Sequence, residues 1–304
     1  TMKNMCASAT MLAALLISFP SISKTNDDIE EVMVTASLAP IVRSRSGNAV
    51  SILNREQLQK RKSVSITDLL RDVPGFSVSR VGVLGSQTQV RVRGAEANHL
   101  LVLIDGVEAN DPSQSDEFSW ATVTATDIKR IEIIRGPQSS LRGSDAIAGV
   151  VNIITPSAEK TGFGLFLERG SQSTHHSGFN LGFKKSDFDV RLGLGHVESN
   201  GGNIARSGNE KDGYKNTTLT LKMGAKINEK LGVSLSARES DGMNQYDADN
   251  DYDGLVEDRD RHSDFDNSTR RLQIDYSPFD GSWRHKFLIS RSTNASAAFA
   301  DGVE

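Results

Sequence analysis

The spacing of hydrophobic positions changes once along this chain, at about residue 156. Before that point, helix signals alternate with short apolar runs, and the spacing is irregular. After it, apolar and polar residues alternate with a period of two in one segment after another. Because successive side chains of a strand point to opposite faces, the second pattern predicts strands with one apolar and one polar face. The chain is therefore expected to have an α+β part followed by an all-β part.

The α+β part covers residues 46–156. Asn54, with Gln57 three residues later, has the pattern of a helix capping box, and Ser65 begins a second predicted helix. Apolar or alternating runs predict strands at residues 90–93, 100–104, 128–134 and 146–154. Asp105-Gly106 after the second of these runs predicts a tight turn. A compact domain of ordinary size follows from these elements.

The all-β part covers residues 157–304 and contains about seven predicted strands. Val190, Leu192 and Leu194, for example, alternate with Asp189 and Arg191. Short turns at residues 184–187, 228–230 and 279–282 alternate with long polar loops at 198–216 and 239–267. Short connections on one side and long ones on the other are typical of an outer-membrane barrel, so we expect antiparallel transmembrane strands. A soluble β-sandwich is the alternative.

The N-terminus has the layout of a secretory signal peptide. Lys3 precedes a nine-residue apolar stretch at residues 11–19, and small residues lead up to a predicted cleavage after Ser23. A short buried helix is the alternative. Residues 1–23 would be removed, and residues 24–45 would form a tail in the periplasm. The chain's one cysteine, Cys6, lies within the removed segment, which suits passage through an oxidising compartment.

Composition and the absence of certain motifs exclude several classes of function. The chain has 304 residues and a net charge of −4, so it has no basic footprint for nucleic acid. One cysteine excludes disulfide scaffolds and cysteine-rich zinc sites. The sequence contains no phosphate-loop, nucleophile-elbow or H-E-x-x-H motif, and we therefore expect no enzyme activity.

Five short segments, in order within the α+β part, carry a resemblance to a known family. They are residues 68–75 (DLLRDVPG), 90–94 (VRVRG), 103–107 (LIDGV), 130–137 (RIEIIRGP) and 143–154 (GSDAIAGVVNII). Together they resemble the N-terminal plug of TonB-dependent outer-membrane receptors. Two departures are visible: Arg142 stands where an aromatic residue usually precedes the glycine, and Ala148 stands where glycine is frequent.

The resemblance implies a receptor in the outer membrane of a Gram-negative bacterium, surrounded by outer-membrane lipid. It would import a scarce ligand with energy from the TonB complex, and residues 46–156 would fill its barrel as the plug. A plugged barrel of this family needs about 22 strands, so we expect the chain to be an N-terminal fragment. An adhesin or a passive porin is the alternative, and neither would need a segment for TonB.

Such a segment precedes the plug. It comprises Glu30, Glu31, Val32, Met33, Val34, Thr35 and Ala36, and it is similar to the TonB box. No proline interrupts residues 30–39, so this stretch can add to a partner's sheet as an edge strand. A disordered tail is the alternative.

A second motif lies in the predicted loop 239–267. The carboxylates Asp249, Asp251, Asp253, Glu257 and Asp260 follow the spacing of a twelve-residue calcium loop, with Gly254 at the turn. Hard oxygen ligands suit calcium, and some cobalamin receptors of this family order extracellular loops with it. The alternative is a solvated acidic loop that Arg259 and Arg261 partly neutralise.

The cargo follows only from the resemblance. Residues 101–156 are most similar to the cobalamin receptors, which implies cobalamin as the ligand. Their ligand-facing plug positions correspond to Gln87, Gln89, Glu96, Gln114 and Ser115 in this chain. A ferric siderophore is the alternative cargo.

Overall fold

The computed structural model describes residues 33–34, 41–42, 46–249, 253–279 and 283–300. The predicted signal peptide lies outside these residues. Within the described ranges, no helix has the length and apolarity needed to cross a membrane.

The α+β part forms the plug, with three α-helices and strands β3 to β9. The helices are α1 (Arg55–Arg61), α2 (Ile66–Leu70) and α3 (Ser139–Arg142). The strands are β3 (Ala49–Asn54), β4 (Phe76–Arg80), β5 (Thr88–Val92), β6 (Leu100–Ile104), β7 (Val107–Glu108), β8 (Arg130–Arg135) and β9 (Gly149–Ile154), after a short pair β1 (Met33–Val34) and β2 (Ile41–Val42). Single 3-10 turns occupy Ala97–His99, Pro112–Gln114, Trp120–Thr122 and Ser144–Ala146.

A five-stranded mixed sheet, in the order β3-β8-β9-β6-β7, forms the centre of the plug. Only the β6–β9 pair is parallel. Ile66 and Leu70 of α2 pack with Val102, Ile131 and Ile153 of the sheet in one fully buried core. The turns and loops of the plug begin and end at these buried strands and helices, so the core fixes their positions.

The local predictions for the plug are confirmed in kind, with bounds that shift by up to three residues. Asn54 accepts a hydrogen bond from the Gln57 backbone N–H at 2.9 Å, and the Gln57 side chain accepts one from Asn54 at 2.9 Å, so the capping box is present. The predicted strand 146–154 begins only at Gly149, because Ser144–Ala146 forms a 3-10 turn. The Asp105-Gly106 turn is present, with positive φ at both residues (50° and 80°), the requirement of a type I′ hairpin.

The all-β part forms one antiparallel meander, which we call the wall. Its strands are β10 (Gly162–Arg169), β11 (His175–Lys185), β12 (Phe188–Gly202), β13 (Asp212–Asn228), β14 (Leu231–Gln245), β15 (Arg261–Tyr276) and β16 (His285–Ala300). Each pairs with the next along the chain, so the described residues contain the seven strands that the alternation predicts.

The wall strands run further than predicted at one end. The long loops shrink from 198–216 and 239–267 to 203–211 and 246–260. Backbone pairing continues there through stretches in which most residues are polar and the apolar alternation is absent. The hydrophobic alternation ends where the lipid-facing band ends, while the hydrogen bonds of the ladder continue. The short connections, residues 186–187 and 229–230, lie at the opposite end.

The wall turns its apolar face outward and its polar face toward the plug. Leu165 and Leu194 remain 65% and 43% exposed, whereas Arg191 and Thr218 are 7% and 4% exposed. A soluble sheet would bury the apolar face, but a membrane strand presents it to lipid. This inversion agrees with an incomplete barrel wrapped around the plug.

Polar contacts join the plug to the inward face of the wall. Asp127 forms an ion pair with Arg191 at 2.5 Å, with both side chains buried, and also accepts a hydrogen bond from Thr220. Arg238 donates to the Thr122 carbonyl oxygen at 2.6 Å. Buried charges of this kind are stable only when paired, so these contacts set the position of the plug.

Candidate functional site

A cavity of about 500 Å³ opens between the plug and the wall at the end that carries the long loops. We call it the outer cup. The plug contributes residues 81, 85–88, 114 and 117–121, and the wall and its loops contribute residues 204, 244, 246–249, 256, 263, 265, 296 and 298. In an outer-membrane barrel the long loops are extracellular, so the cup faces the outside of the cell.

The first plug loop in the cup joins β4 to β5 and lies against the wall. Gly85 has φ of +85°, and a Cβ at this position would come within 2.0 Å of the Tyr214 ring. Only glycine permits this approach. Tyr214 in turn donates to the Ala121 carbonyl oxygen at 2.6 Å, so one buried side chain contacts two parts of the plug.

The second plug loop in the cup, residues 109–119, is held by Asn110. Its buried side chain accepts from the Val102 backbone N–H at 2.8 Å and donates to the carbonyl oxygens of Leu100 and Asp116 at 3.1 and 2.7 Å. The amide thereby ties the loop to strand β6. The same loop presents Phe118, whose ring meets Trp120 edge to face at a centroid distance of 4.8 Å. Both rings are 7% exposed and belong to the buried core of the plug, so they support this part of the cup from below.

Of the five residues that the resemblance implied as ligand contacts, two line the outer cup and three do not. Gln87 and Gln114 line the outer cup, and Gln114 donates to Ser296 of β16 at 3.1 Å. Gln89 lies behind the cup and donates to Glu117 at 3.1 Å. Glu96 and Ser115 are exposed and are not part of the cup lining. No contact with a ligand tests these five positions, which stay predictions.

Several residues in the cup were not predicted. Phe118, Trp120, Tyr246 and Asp247 all line it. Trp120 is only 7% exposed, so most of its ring packs beneath the lining. Clusters of aromatic and polar residues close to the plug landmarks were the available signal. The pairing of plug loops with wall loops, which brings these residues together, leaves no local pattern.

The charge of the cup is negative. Its titratable carboxylates are Glu117, Asp247 and Asp249, and none of the described lining residues is Lys, Arg or His. An acidic cavity repels anionic ligands and accepts neutral or cationic ones. The lining therefore discriminates by charge as well as by shape.

Three carboxylates converge beside the cup. Glu210, Asp247 and Asp258 each place an oxygen within 4.8 Å of the others. Burial, and next the charge of Asp247, raises the pKa of Glu210 to about 7. The nearby Asp212 is 2% exposed and its Oδ1 has no hydrogen-bond partner. Mutually repelling carboxylates with an unpartnered buried oxygen form a set of hard donors that suits a divalent cation.

The predicted calcium loop is arranged differently. Asp249 accepts hydrogen bonds from the backbone N–H groups of Asp253 and Gly254, at 3.2 and 2.9 Å. Glu257 forms an ion pair with Arg259 at 2.7 Å. Asp251 lies outside the described residues, and Asp260 is one of the charges that act on Glu210. The calcium prediction is not tested by these contacts.

The predicted TonB box is described at two positions only. Met33 and Val34 form β1 and pair antiparallel with Val42 and Ile41 of β2. Glu30, Glu31, Val32, Thr35 and Ala36 lie outside the described residues. The extended backbone at Met33 and Val34 is the conformation that strand addition requires.

Comparison with known proteins supports the reading of the plug. Residues 43–150 match the family described as the TonB-dependent Receptor Plug Domain. The vitamin B12 transporter BtuB of Vibrio vulnificus (strain CMCP6) is 31% identical over 233 residues, which are 74% of this chain and 37% of that protein. The chain thus spans little more than a third of that relative's length.

Solved structures share the fold. The siderophore receptor PirA of Acinetobacter baumannii has a TM-score of 0.64 at 22% identity, over 81% of this chain and 40% of that one. The ferric yersiniabactin uptake receptor FyuA of Yersinia pestis has a TM-score of 0.67 at 18% identity, over 84% and 42%. At these identities the likeness concerns the architecture of plug and wall alone.

Proposed function

Since the chain belongs to the TonB-dependent receptors of the Gram-negative outer membrane, we propose that it is the plug-bearing part of a receptor that imports cobalamin with energy from TonB. A relative with this activity is 31% identical to the chain. The cargo would bind in the outer cup and cross the membrane when the plug moves.

The observation that carries this proposal is the composition of the outer cup. Plug and wall together line about 500 Å³ with the half-buried Tyr246 ring, amides and hydroxyls, and with three carboxylates. A large ligand with many amide groups and no net negative charge suits such a surface, because aromatic faces supply contact area and polar groups fix orientation. Cobalamin has these properties.

A ferric siderophore is the second candidate, since two receptors of similar fold are named for siderophores. Many ferric siderophores are anionic. The described lining offers them Glu117, Asp247 and Asp249 and no cationic side chain. Charge therefore favours cobalamin over an anionic iron complex.

Energy coupling would act through the predicted TonB box. With Met33 and Val34 already extended, the segment adds to a sheet of TonB through backbone hydrogen bonds. Force on this segment acts on the plug, whose ion pair between Asp127 and Arg191 must break before a passage opens. In this proposal the outer cup binds the cargo, the TonB box receives the force, and the ion pair between Asp127 and Arg191 holds the plug against the wall.

A binding experiment tests the cargo. Cyanocobalamin and an anionic ferric catecholate complex are titrated separately into the complete receptor in detergent, and tryptophan fluorescence reports binding, because Trp120 lines the cup. We expect saturable binding of cyanocobalamin that the ferric complex does not displace. Binding of the ferric complex alone would overturn the assignment. Uptake that persists without a proton gradient would favour a passive porin.

We also propose that calcium orders the loops beside the cup. Glu210, Asp247 and Asp258 would supply its ligands, because their oxygens converge and Asp212 contributes a buried, unpartnered oxygen. The loop 246–260 would be fixed as a consequence, since Asp247 and Asp258 lie near its two ends. Calorimetric titration with Ca²⁺ tests this, and Asp258→Asn should weaken binding.

A further inference from the structure

One carboxylate of the outer cup, that of Glu117, extends from a backbone that the plug holds on both sides. The Glu117 backbone N–H donates to the Gln114 carbonyl oxygen at 3.1 Å, and its carbonyl oxygen accepts from the Asp111 backbone N–H at 3.0 Å. The preceding carbonyl oxygen, of Asp116, accepts from the buried Asn110 side chain at 2.7 Å. Glu117 therefore has a fixed backbone, although residues 112–115 of the same loop are exposed.

The side chain of Glu117 is oriented by Gln89 of β5. The Gln89 amide nitrogen lies 3.1 and 3.4 Å from the two carboxylate oxygens and donates to both. Val90 and Val92 of the same strand are buried in the core of the plug, so Gln89 and Arg91 lie on the opposite face. The strand thus presents the amide to the loop that carries Glu117.

Arg91 determines which end of the Gln89 amide faces Glu117. The Arg91 Nη2 donates to the Gln89 side-chain oxygen at 2.8 Å, so the amide nitrogen points to the carboxylate. Glu96 approaches Arg91 at 3.5 Å, but its side chain is 69% exposed, and an exposed ion pair contributes little. Arg91, Gln89 and Glu117 form one oriented chain of hydrogen bonds that ends in the outer cup.

The Gln89 amide leaves part of the Glu117 carboxylate for a ligand. A carboxylate has about four lone-pair positions, and a single amide group occupies roughly two of them. Glu117 lines the cup and Gln89 lies behind it, so the remaining positions are accessible from the cavity. They accept hydrogen bonds and donate none. They therefore suit an N–H group of a ligand and repel a carboxylate.

We propose that Glu117 selects a primary amide of the cargo over a carboxylate at the same place, and that Gln89 is a positioning residue that acts through Glu117. The inference rests on the proposed function, because cobalamin carries such amides. A side chain that is ordered before binding loses little conformational freedom when the ligand arrives, so its hydrogen bond contributes more to affinity. Gln89, which the resemblance implied as a ligand contact, affects binding without touching the ligand.

Discrimination between two forms of the cargo tests this assignment. Cyanocobalamin is compared with its monocarboxylic derivatives, in each of which a carboxylate replaces one primary amide, by equilibrium dialysis against the complete receptor in detergent. We expect one derivative to bind at least about tenfold more weakly, since it loses a hydrogen bond to a charged group. In Glu117→Gln the ratio of the two dissociation constants should fall to about one, because glutamine both donates and accepts.

Two further variants separate positioning from contact. Gln89→Met removes the amide that orients Glu117, and it should lower the same ratio about threefold, because the charge remains and only its orientation is lost. Glu96→Gln is the matched control, the same chemical change at an exposed carboxylate outside the cup lining, and its ratio should equal that of the unchanged receptor. Each ratio is measured within one variant, so incomplete folding lowers the amount of active receptor and not the ratio.

The possible failures are distinguishable. If cyanocobalamin does not bind to the unchanged receptor, the proposed cargo is wrong, and the assignment of Glu117 is wrong with it. If cyanocobalamin binds but no derivative binds more weakly, or the ratio is the same in Glu117→Gln and Glu96→Gln, only the assignment of Glu117 is overturned. A ratio that falls in Glu117→Gln and stays unchanged in Gln89→Met would refute the positioning role of Gln89.

Discussion

A second cavity, which we call the inner cavity, lies between the plug and the wall at the end with the short connections. The outer cup and the inner cavity have similar volumes, about 500 and 540 Å³, and their linings have opposite charge. The plug forms one side of both. The cup is lined by plug loops, wall loops and the adjoining strand ends and has carboxylates without basic residues among the described residues. The inner cavity is lined mainly by wall strands, plug strands, the Asp105-Gly106 turn and Arg142 of α3, and it has an excess of basic residues. A ligand that passes from one to the other meets two different electrostatic environments.

Under the proposed function, this difference predicts that the cargo is selected by charge at the outer cup. Charge near a cavity mouth affects which molecules enter, because it repels ions of the same sign. The second cavity, at the end with the short connections, has an excess of basic residues and so favours anionic groups.

The largest effect should come from a variant that blocks coupling to TonB, because the cargo could then enter the outer cup but not leave it toward the inner cavity. Val34→Pro removes a backbone donor from β1, so the segment can no longer pair fully with a partner strand. We expect energised uptake to be lost while cyanocobalamin still binds in the outer cup. Cell-associated and imported label are measured separately.

The matched control for this experiment is Val34→Thr, which keeps the β-branched shape and the backbone donor. It should transport normally. Normal uptake by Val34→Pro would refute the assignment of the TonB box.

A charge reversal in the cup should have a smaller effect. Glu117→Lys places a cation in a lining that has none, and it also ends the hydrogen bond from Gln89. We expect cyanocobalamin to bind about tenfold more weakly, as for the loss of an interaction with a charged group. Fluorescence titration measures the change.

Glu96→Lys is the comparison for that variant. Glu96 was implied as a ligand contact by resemblance, yet it is exposed, pairs with Arg91 at 3.5 Å and is not part of the cup lining. Unchanged affinity in Glu96→Lys would support the cup as described. An equal loss in both variants would place the ligand elsewhere on the plug.

The smallest predicted effect concerns pH and the loops beside the cup. Because the pKa of Glu210 is raised to about 7, this side chain keeps its proton below that pH, and calcium must displace it. From pH 8 to pH 6.5 the calcium affinity should fall about fourfold, the factor for one competing proton. Calorimetry at several pH values measures it.

Glu210→Gln should remove this pH dependence, whereas Glu229→Gln, in the short turn 229–230 at the other end of the wall, should not. Without calcium the sign is opposite. Glu210 has a raised pKa in the folded state, so its contribution to stability is present below about pH 4.5 and is lost as the pH rises through about 7. A calcium affinity that is constant across this range would exclude Glu210 as a ligand.

Much of the fold could be predicted because its signals are local. The capping box of Asn54 and Gln57, the Asp105-Gly106 turn and the period of two each depend on neighbours a few residues apart. The predicted ends of the wall strands were less accurate, because backbone hydrogen bonding continues past the point where the apolar residues stop. Strands β12 to β15 continue beyond the apolar band, because ladder pairing does not require apolar side chains.

The candidate sites could be predicted only in part. Gln87 and Gln114 were found through a resemblance, while Tyr246 and Asp247 come from a loop more than 120 residues further along the chain. The converging acids Glu210, Asp247 and Asp258 belong to two different loops, whereas the predicted calcium ligands all came from one twelve-residue segment. Spacing along the chain identifies ligands only when one segment supplies them.

By itself, the sequence determined the two-part organisation, the seven strands and the plug landmarks, because periodicity, capping and turn chemistry act over short stretches of backbone. The tertiary structure alone decided which strand face meets the plug and which cavity receives which charge. Arg142 and Arg271 are 129 positions apart in the chain and share one cavity, since the wall returns past the plug several times. Charge acts through space, and only the packing of plug against wall defines that space.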